Sequence, residues 1–402
     1  VFARAGSARA MLITEYRLDG PGGLRDEFVE LYNNTNEAIT VSTSDGSAGW
    51  ALVTGRESAA GVALETYQVI PNGTLIPARA HYLVTGDAYS LAAYGGINRA
   101  LGDAVSQSDL SGDDAGHPFR GVALYRTADA NNFTTPNRLD AAGGACADPR
   151  LSEGRVAGLC RNVGTAESPA ANYSLVRKQP NGLPQDTDNN ADDFALVAVE
   201  SPLPSAGAGA SLAAELGAPA PENLQSPTQH NATIKASLID SQAASTSPPN
   251  RVRAGGQIPN GQFGTITIRR RFINKTGRTV LALRFRLTGI TTLGTPAEFS
   301  PQADLRAANS SDAEVQTTGE GVLTVKGTIL EQPPAQALGG GLNSSLVVPL
   351  AGGALIPNAS VDVQFVLGVQ QEGAFRFFVN VEALTQPLAT NQQKGGAGKA
   401  NR

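Results

Sequence analysis

Four stretches of strict alternation constrain the fold of this chain more than any other feature. In residues 265–273, Ile266, Ile268 and Phe272 fall on one side of an extended backbone. Leu281, Leu283, Phe285 and Leu287 share a face with Arg284 and Arg286 opposite; Val361, Val363, Phe365 and Leu367 repeat the period, as do Phe375, Phe377, Val379 and Val381. Successive side chains of a strand point to opposite faces, so a period of two predicts half-buried antiparallel strands. The N-terminal half repeats the signature in shorter runs. Leu12, Ile13 and Tyr16 precede a Gly/Pro break at 19–23, and Phe28-Val29-Glu30-Leu31-Tyr32 follows it. Further strands are expected at 49–53, 81–85, 121–126, 173–178 and 194–197. The single Trp, Trp50, reads as a core plug.

At 402 residues two cores are expected rather than one. The division read from composition is an extension at 1–10, a first β domain at 11–200, a linker at 201–227, a second β domain at 228–387 and a tail at 388–402. The linker, SPLPSAGAGASLAAELGAPAPENLQSP, is dominated by Pro, Gly, Ala and Ser and reads as a flexible connector, with room for a short helix at 212–216. Charged residues make up 17% and the net charge is −5, which leaves no electrostatic footprint for nucleic acid or an anionic membrane. Arg269-Arg270-Arg271 sits on an expected strand, so Arg269 and Arg271 face one way and Arg270 the other; a solvated face with one paired Arg is the reading. There is no apolar run of about 18 residues and therefore no helical membrane span. The chain opens on Val, which reads as a processed or partial form.

Cys146 and Cys160 lie in polar, Gly-flanked sequence. A disulfide between them closes a loop of about 15 residues and is worth roughly 3 kcal/mol in the chain-entropy model. It argues for an oxidising, extracytoplasmic compartment; the alternative is two unpaired small residues.

The blocks ITEYRLDGPGGLRDEFVELYN, GWALV, IPNGTLIPARAHYLVTG, GVALYR, SLVRK and DTDNNADDFALV, in that order, resemble the bacterial form of the lamin-tail domain over about 11–199. The resemblance implies an immunoglobulin-like β-sandwich, generally non-catalytic, from secreted and surface proteins. The cysteine-bearing insert at about 143–170 departs from the family pattern. INKTGRTVLALRFRLTGITT, LEQPPAQALGGGLNSSL and VDVQFVLGVQQEGAFRFFVNVEAL resemble a β-sandwich module that recurs at the C-termini of secreted bacterial surface proteins, over about 230–385. The expected fold is thus all-β, two immunoglobulin-like sandwiches on a Pro/Gly/Ala-rich linker.

Motifs that carry chemistry are few. His81, His117 and His230 stand in separate contexts without zinc spacing. No nucleophile elbow or phosphate loop occurs. Asp186, Asp188, Asn190 and Asp192 place oxygens at alternate positions, as a calcium loop does, but Ala191 and Val197 stand where an EF-hand needs Gly and Glu. An Asx-rich turn capping the last strand is preferred, with calcium as the alternative. Asp109, Asp113 and Asp114 form a weaker set of the same kind. Asn-x-Ser/Thr occurs at Asn33, Asn72, Asn132, Asn172, Asn231, Asn274, Asn309, Asn343 and Asn358, either as glycan acceptors of a secreted protein or as Asn-turn chemistry alone.

The leading expectation is a non-catalytic structural protein, secreted or on the cell surface. Copies of itself would assemble into a fibre, sheath or layer through an edge strand, or through a terminal segment such as 1–10 or the residues after Leu388. An adhesin or carbohydrate-binding module is the alternative, and an accessory part of a secreted hydrolase or nuclease the second. No cofactor other than calcium is suggested.

Overall fold

A computed structural model describes residues 9–18, 20–23, 25–58, 61–92, 100–110, 121–143, 148–155, 173–199, 214–331 and 338–386. Among them the regular structure is nearly all strand, and helix is confined to single turns. The N-terminal half supplies β1 (Met11–Arg17), β2 (Phe28–Asn33), β3 (Ile39–Thr40), β4 (Gly49–Ser58), β5 (Gly61–Pro71), β6 (Leu75–Ile76), β7 (His81–Gly86), β8 (Ala104–Ser106), β9 (Val122–Tyr125), β10 (Arg138–Ala142), β11 (Tyr173–Arg177), β12 (Phe194–Ala198) and β13 (Ala214–Leu216). One sheet runs β13-β12-β11-β1-β2-β7-β8 and a second β10-β9-β4-β5. Ile13, Tyr16, Leu31, Val84 and Leu196 of the first meet Leu52, Ile70 and Leu124 of the second in one core. Trp50 is buried there, as the sequence predicts, and its indole N–H donates to the Ser42 carbonyl at 2.8 Å.

The second half supplies β14 (Thr228–Gln229), β15 (Ile234–Ser237), β16 (Arg251–Ala254), β17 (Thr265–Asn274), β18 (Val280–Ile290), β19 (Asp304–Ala308), β20 (Ala313–Thr317), β21 (Gly321–Val325), β22 (Ile329–Leu330), β23 (Ser345–Val348), β24 (Ser360–Gln371) and β25 (Phe377–Thr385). The sheets β14-β25-β18-β23-β22 and β15-β17-β24-β19 enclose a second core. The alternating residues build it. Phe285 lies 4.6 Å from Phe272 and 4.9 Å from Phe365, centroid to centroid. Each such fully buried ring contributes about 1.5–3 kcal/mol. Leu281 departs from its expected face: the register shifts between Val280 and Ala282, and Leu281 is left 43% exposed.

Two findings revise the sequence reading. Residues 214–227 are not a loose connector. Ala214 pairs in parallel with Leu196, so the proposed helix at 212–216 is a strand where it is described. Beyond it the Gly217 amide donates to Ala198 in the first unit, while Ala218 donates to Leu342 in the second. Ala218, Ala220 and Glu222 are buried. Pro219 and Pro221 hold this strap extended, and its small residues let two backbones approach. A Cβ on Gly217 would lie 2.5 Å from the Leu342 carbonyl oxygen.

The second revision concerns faces. β1, β2 and β7 are buried on both sides, so their polar residues Thr14, Glu15, Glu30, His81 and Thr85 are covered along with the apolar ones. Arg284 and Arg286, opposite the core face of β18, are 7% and 4% exposed rather than solvated. The strap and the other unit cover Glu15, Glu30, His81, Arg284 and Arg286, while Phe28 and Leu83 pack against Ala100 and Tyr89 of their own unit. One Arg of the triplet is paired as expected, Arg271 with Asp362 at 2.7 Å and Glu320 at 2.6 Å, but all three are half-buried rather than solvated: Arg269 bonds Gln364, and Arg270 turns to backbone carbonyls.

Candidate functional site

Among the described residues, a dense concentration of buried charge lies where the two units meet. Its origin is local. The register of β1 against β2 shifts between Ile13 and Glu15, which sets Glu15 directly opposite Glu30 on the face away from the core. Like charges in that position destabilise an isolated sheet. Here donors arrive from the strap and the second unit. Glu15 accepts from the Ala220 amide at 3.1 Å, Asn343 Nδ2 at 2.9 Å and Ser174 Oγ at 2.7 Å. Glu30 accepts from the Glu222 amide at 2.6 Å and from Thr14 Oγ1.

Next to Glu30, β7 presents His81. Its Nδ1 lies 3.1 Å from Glu30 and its Nε2 2.9 Å from Glu222. Glu222 pairs in turn with Arg284 and, at 3.1 Å, with Arg286. Both guanidiniums also reach Glu382 of β25, Arg284 at 2.7 Å and Arg286 at 3.1 Å. Arg286 completes its bonding with the Ala220 carbonyl at 3.1 Å and Asn343 Oδ1 at 2.8 Å. One unbroken network thus joins β1, β2 and β7, the strap, and β18 and β25.

Burial, with Glu30 opposite, pushes Glu15 up to about 7. Burial works the same way on Glu382, yet Arg284 and Arg286 hold it below the usual carboxylate range. Burial opposes the charge on Arg286, and Glu382, Glu30 and Glu15 together raise its pKa in spite of that. Glu30, His81 and Glu222 bring one ligand atom each within 4.8 Å of one another, the spacing of a metal site. A dication there would face Arg284 and Arg286, which already supply the positive charge.

A cavity of about 370 Å³ opens beside the network, lined by Lys178, Glu215, Arg286, Asn343, Arg376 and Phe378 among others. Glu298 pairs with Arg376, and burial raises the pKa of the Glu215 carboxyl. Phe378 is 59% exposed.

The residues singled out from sequence fall elsewhere. Asn190 is no calcium ligand: its Oδ1 accepts from the Gly143 and Glu153 amides and its Nδ2 donates to Ala141. Asp188 turns to Arg9 and Asp192 to Arg155. Asp186 alone of the four joins a buried cluster, with Asp140 and Glu153. Asp193 instead reaches back along the loop, accepting from the Thr187 amide at 3.0 Å and hydroxyl at 2.8 Å. Asp113, Asp114, His117, Cys146, Cys160 and Asn172 lie outside the described residues. Asp109 is half-buried without the rest of its set in view. His230 is bonded by Thr228 and Thr233.

Three of the Asn-x-Ser/Thr sites cannot carry sugar in the folded chain. Asn33 Nδ2 is spent on the carbonyls of Glu37, Ile76 and Pro77, and Asn274 Nδ2 on those of Arg278 and Leu355. In both, Oδ1 accepts from the amide and hydroxyl of the Thr two residues on. The same Asn-x-Thr turn therefore closes a strand in each unit. Asn343 is buried in the seam between Glu15 and Arg286. Asn72, Asn309 and Asn358 are exposed; Asn132 and Asn231 are half-buried, and Asn231 is bonded to Asn380.

No family model matches the sequence, and a comparison with curated proteins finds no match. Among solved structures the chain is similar to a DUF4876 family protein from Bacteroides thetaiotaomicron, at 14% identity over 46% of this chain and 70% of that one, with a TM-score of 0.29.

Proposed function

We propose that this protein is a non-catalytic structural subunit of the cell exterior, a stiff two-unit block that joins other copies of itself by strand addition. The carrying observation is the β4–β5 ribbon. β9 pairs only with Ala51–Thr54 of β4, so from Gly55 onward β4 and β5 pair with each other and with no third strand among the described residues. β5 is the edge of its sheet. On that edge the Val62 carbonyl accepts from the Arg150 side chain at 2.8 Å rather than from a strand. Such an edge is a template for an incoming strand. The charge network supports the same reading, because its own acids and bases are engaged in holding the units together.

Sedimentation velocity across a wide concentration range, with electron microscopy of the same samples, tests it. Association that Val62→Pro abolishes without altering the circular dichroism is expected. A wild-type chain that stays monomeric at high concentration overturns the reading.

The seam cavity favours a second reading, recognition of a carbohydrate. Phe378 offers an exposed ring at a concave site between units, where small-molecule sites concentrate. A glycan array without Phe378-dependent binding sets it aside.

A further inference from the structure

We propose that Asp140, Glu153 and Asp186 form a binding site for a hard divalent cation of the calcium type, and that the guanidinium of Arg9 competes for the same place. The three carboxylates come from β10, from the segment after the turn Pro149–Leu151, and from the loop ahead of the single-turn helix α1 (Asn190–Asp193). Each offers one oxygen, and the three lie within 4.8 Å of one another. Oxygens held 2.3–2.6 Å from one calcium ion stand no more than about 5 Å apart. An all-oxygen set suits calcium or magnesium, not a metal that prefers imidazole or thiolate.

Acidic side chains alone would not make a site. Glu153 is 3% exposed, and its Oε2 is buried without a hydrogen-bond partner. Asp186 Oδ1 and Asn189 Oδ1 share that condition. Asn189 is close at hand, since a Cβ on Gly154 would stand 3.1 Å from its Cα. Buried oxygens without a donor ordinarily signal a missing partner. The charge count points the same way. Asp140, Glu153, Asp186, Asp188 and Asp193, five carboxylates, are in ion-pair reach of Arg9, Arg138 and Arg177, three guanidiniums. Asp140, Glu153 and Asp193 are buried and the Asp186 side chain nearly so, Asp188 being the exposed one, so acid outnumbers base here, an excess that a cation offsets.

Of the three arginines, Arg177 is fixed, donating to the Ile13 and Gln185 carbonyls and fully buried. Arg9 differs. Its side chain is 27% exposed and it precedes β1, yet it reaches Glu153, Asp140 at 3.4 Å and Asp186 at 3.9 Å. It is the cation that an incoming ion displaces.

The test is calorimetric titration of the chelator-treated full chain with calcium chloride, magnesium chloride in parallel, and thermal unfolding in each. Saturable calcium binding that raises the unfolding temperature is expected. Asp186→Asn should weaken it at least tenfold, and Arg9→Gln should tighten it severalfold by removing the competitor. Binding seen in Arg9→Gln alone also supports the site. No binding in either wild type or Arg9→Gln overturns it, and so does calcium binding that Asp186→Asn leaves unchanged. Circular dichroism checks the fold of each variant.

Discussion

Replacing Arg286 by Met keeps most of the stem and removes the charge. Arg286 serves Glu382 and Glu222 at 3.1 Å each, the Ala220 carbonyl, and Asn343 Oδ1 at 2.8 Å. Without it, buried carboxylates from the strap and from β25 depend on Arg284 and His81 alone. Removing one partner of a buried ion pair costs about 3–5 kcal/mol, because the remaining charge stays desolvated. For units of this size that lowers Tm by about 6–20 °C. The assay is urea unfolding followed by two probes. Trp50 is the only Trp and reports the first unit; far-UV circular dichroism reports both. In the wild type the two transitions should coincide, the mark of one cooperative body. In Arg286→Met the midpoint should fall and the probes separate. A variant within about 0.5 kcal/mol of wild type, the ordinary range for surface changes, with coincident transitions would refute the claim that the network couples the units.

Other expectations follow from the same geometry. Glu15 is held at about 7 in the folded chain against an ordinary value of 4.5. The folded state therefore binds the extra proton, so this contribution is fully present below pH 4.5 and is lost as pH rises through about 7. It amounts to roughly 3 kcal/mol, and Glu15→Gln should flatten the urea midpoint between pH 5 and 8. Gly217→Ala drives a methyl toward the Leu342 carbonyl and should cost about 1–3 kcal/mol, read as a lower Tm with faster proteolysis at the strap. Phe285→Ala empties the centre of the second core at a cost of about 3–5 kcal/mol, with little change in Trp50 fluorescence before the main transition. Mass spectrometry of the chain secreted from a glycosylating host should find no sugar at Asn33, Asn274 or Asn343.

Much of the fold was legible because one-sided strands write their pattern into sequence. Phe272, Phe285, Phe365 and Leu367 lie on the faces that alternation assigns them. The seam was not, since alternation marks which face is apolar and says nothing of what covers the polar one. Arg284 and Arg286 look like solvent-facing residues until the first unit is placed over them. One signal was present: Glu15 and Glu30 on adjacent strands of a hairpin are a like-charged pair that makes sense only if something cationic or donating lies opposite. The strap misled for a related reason. Pro, Gly and Ala are the composition of a free linker, but also of a segment that must lie extended between two backbones at close range. Asp186 carried a true hint of a cluster, while its partners Asp140 and Glu153 are distant in sequence and the chosen neighbours Asp188, Asn190 and Asp192 are used locally. At Asn33 and Asn274 the Asn-x-Thr pattern was turn chemistry.

The central claim is that the strap and the charge network make the two units one body. Amide hydrogen exchange over residues 214–224 tests it most directly. Protection comparable to that of the interior strand β2 is expected, because the amides of Leu216, Gly217, Ala218, Ala220 and Glu222 are all bonded across the seam or to Leu293. Exchange complete within seconds, as in an unstructured connector, would contradict it.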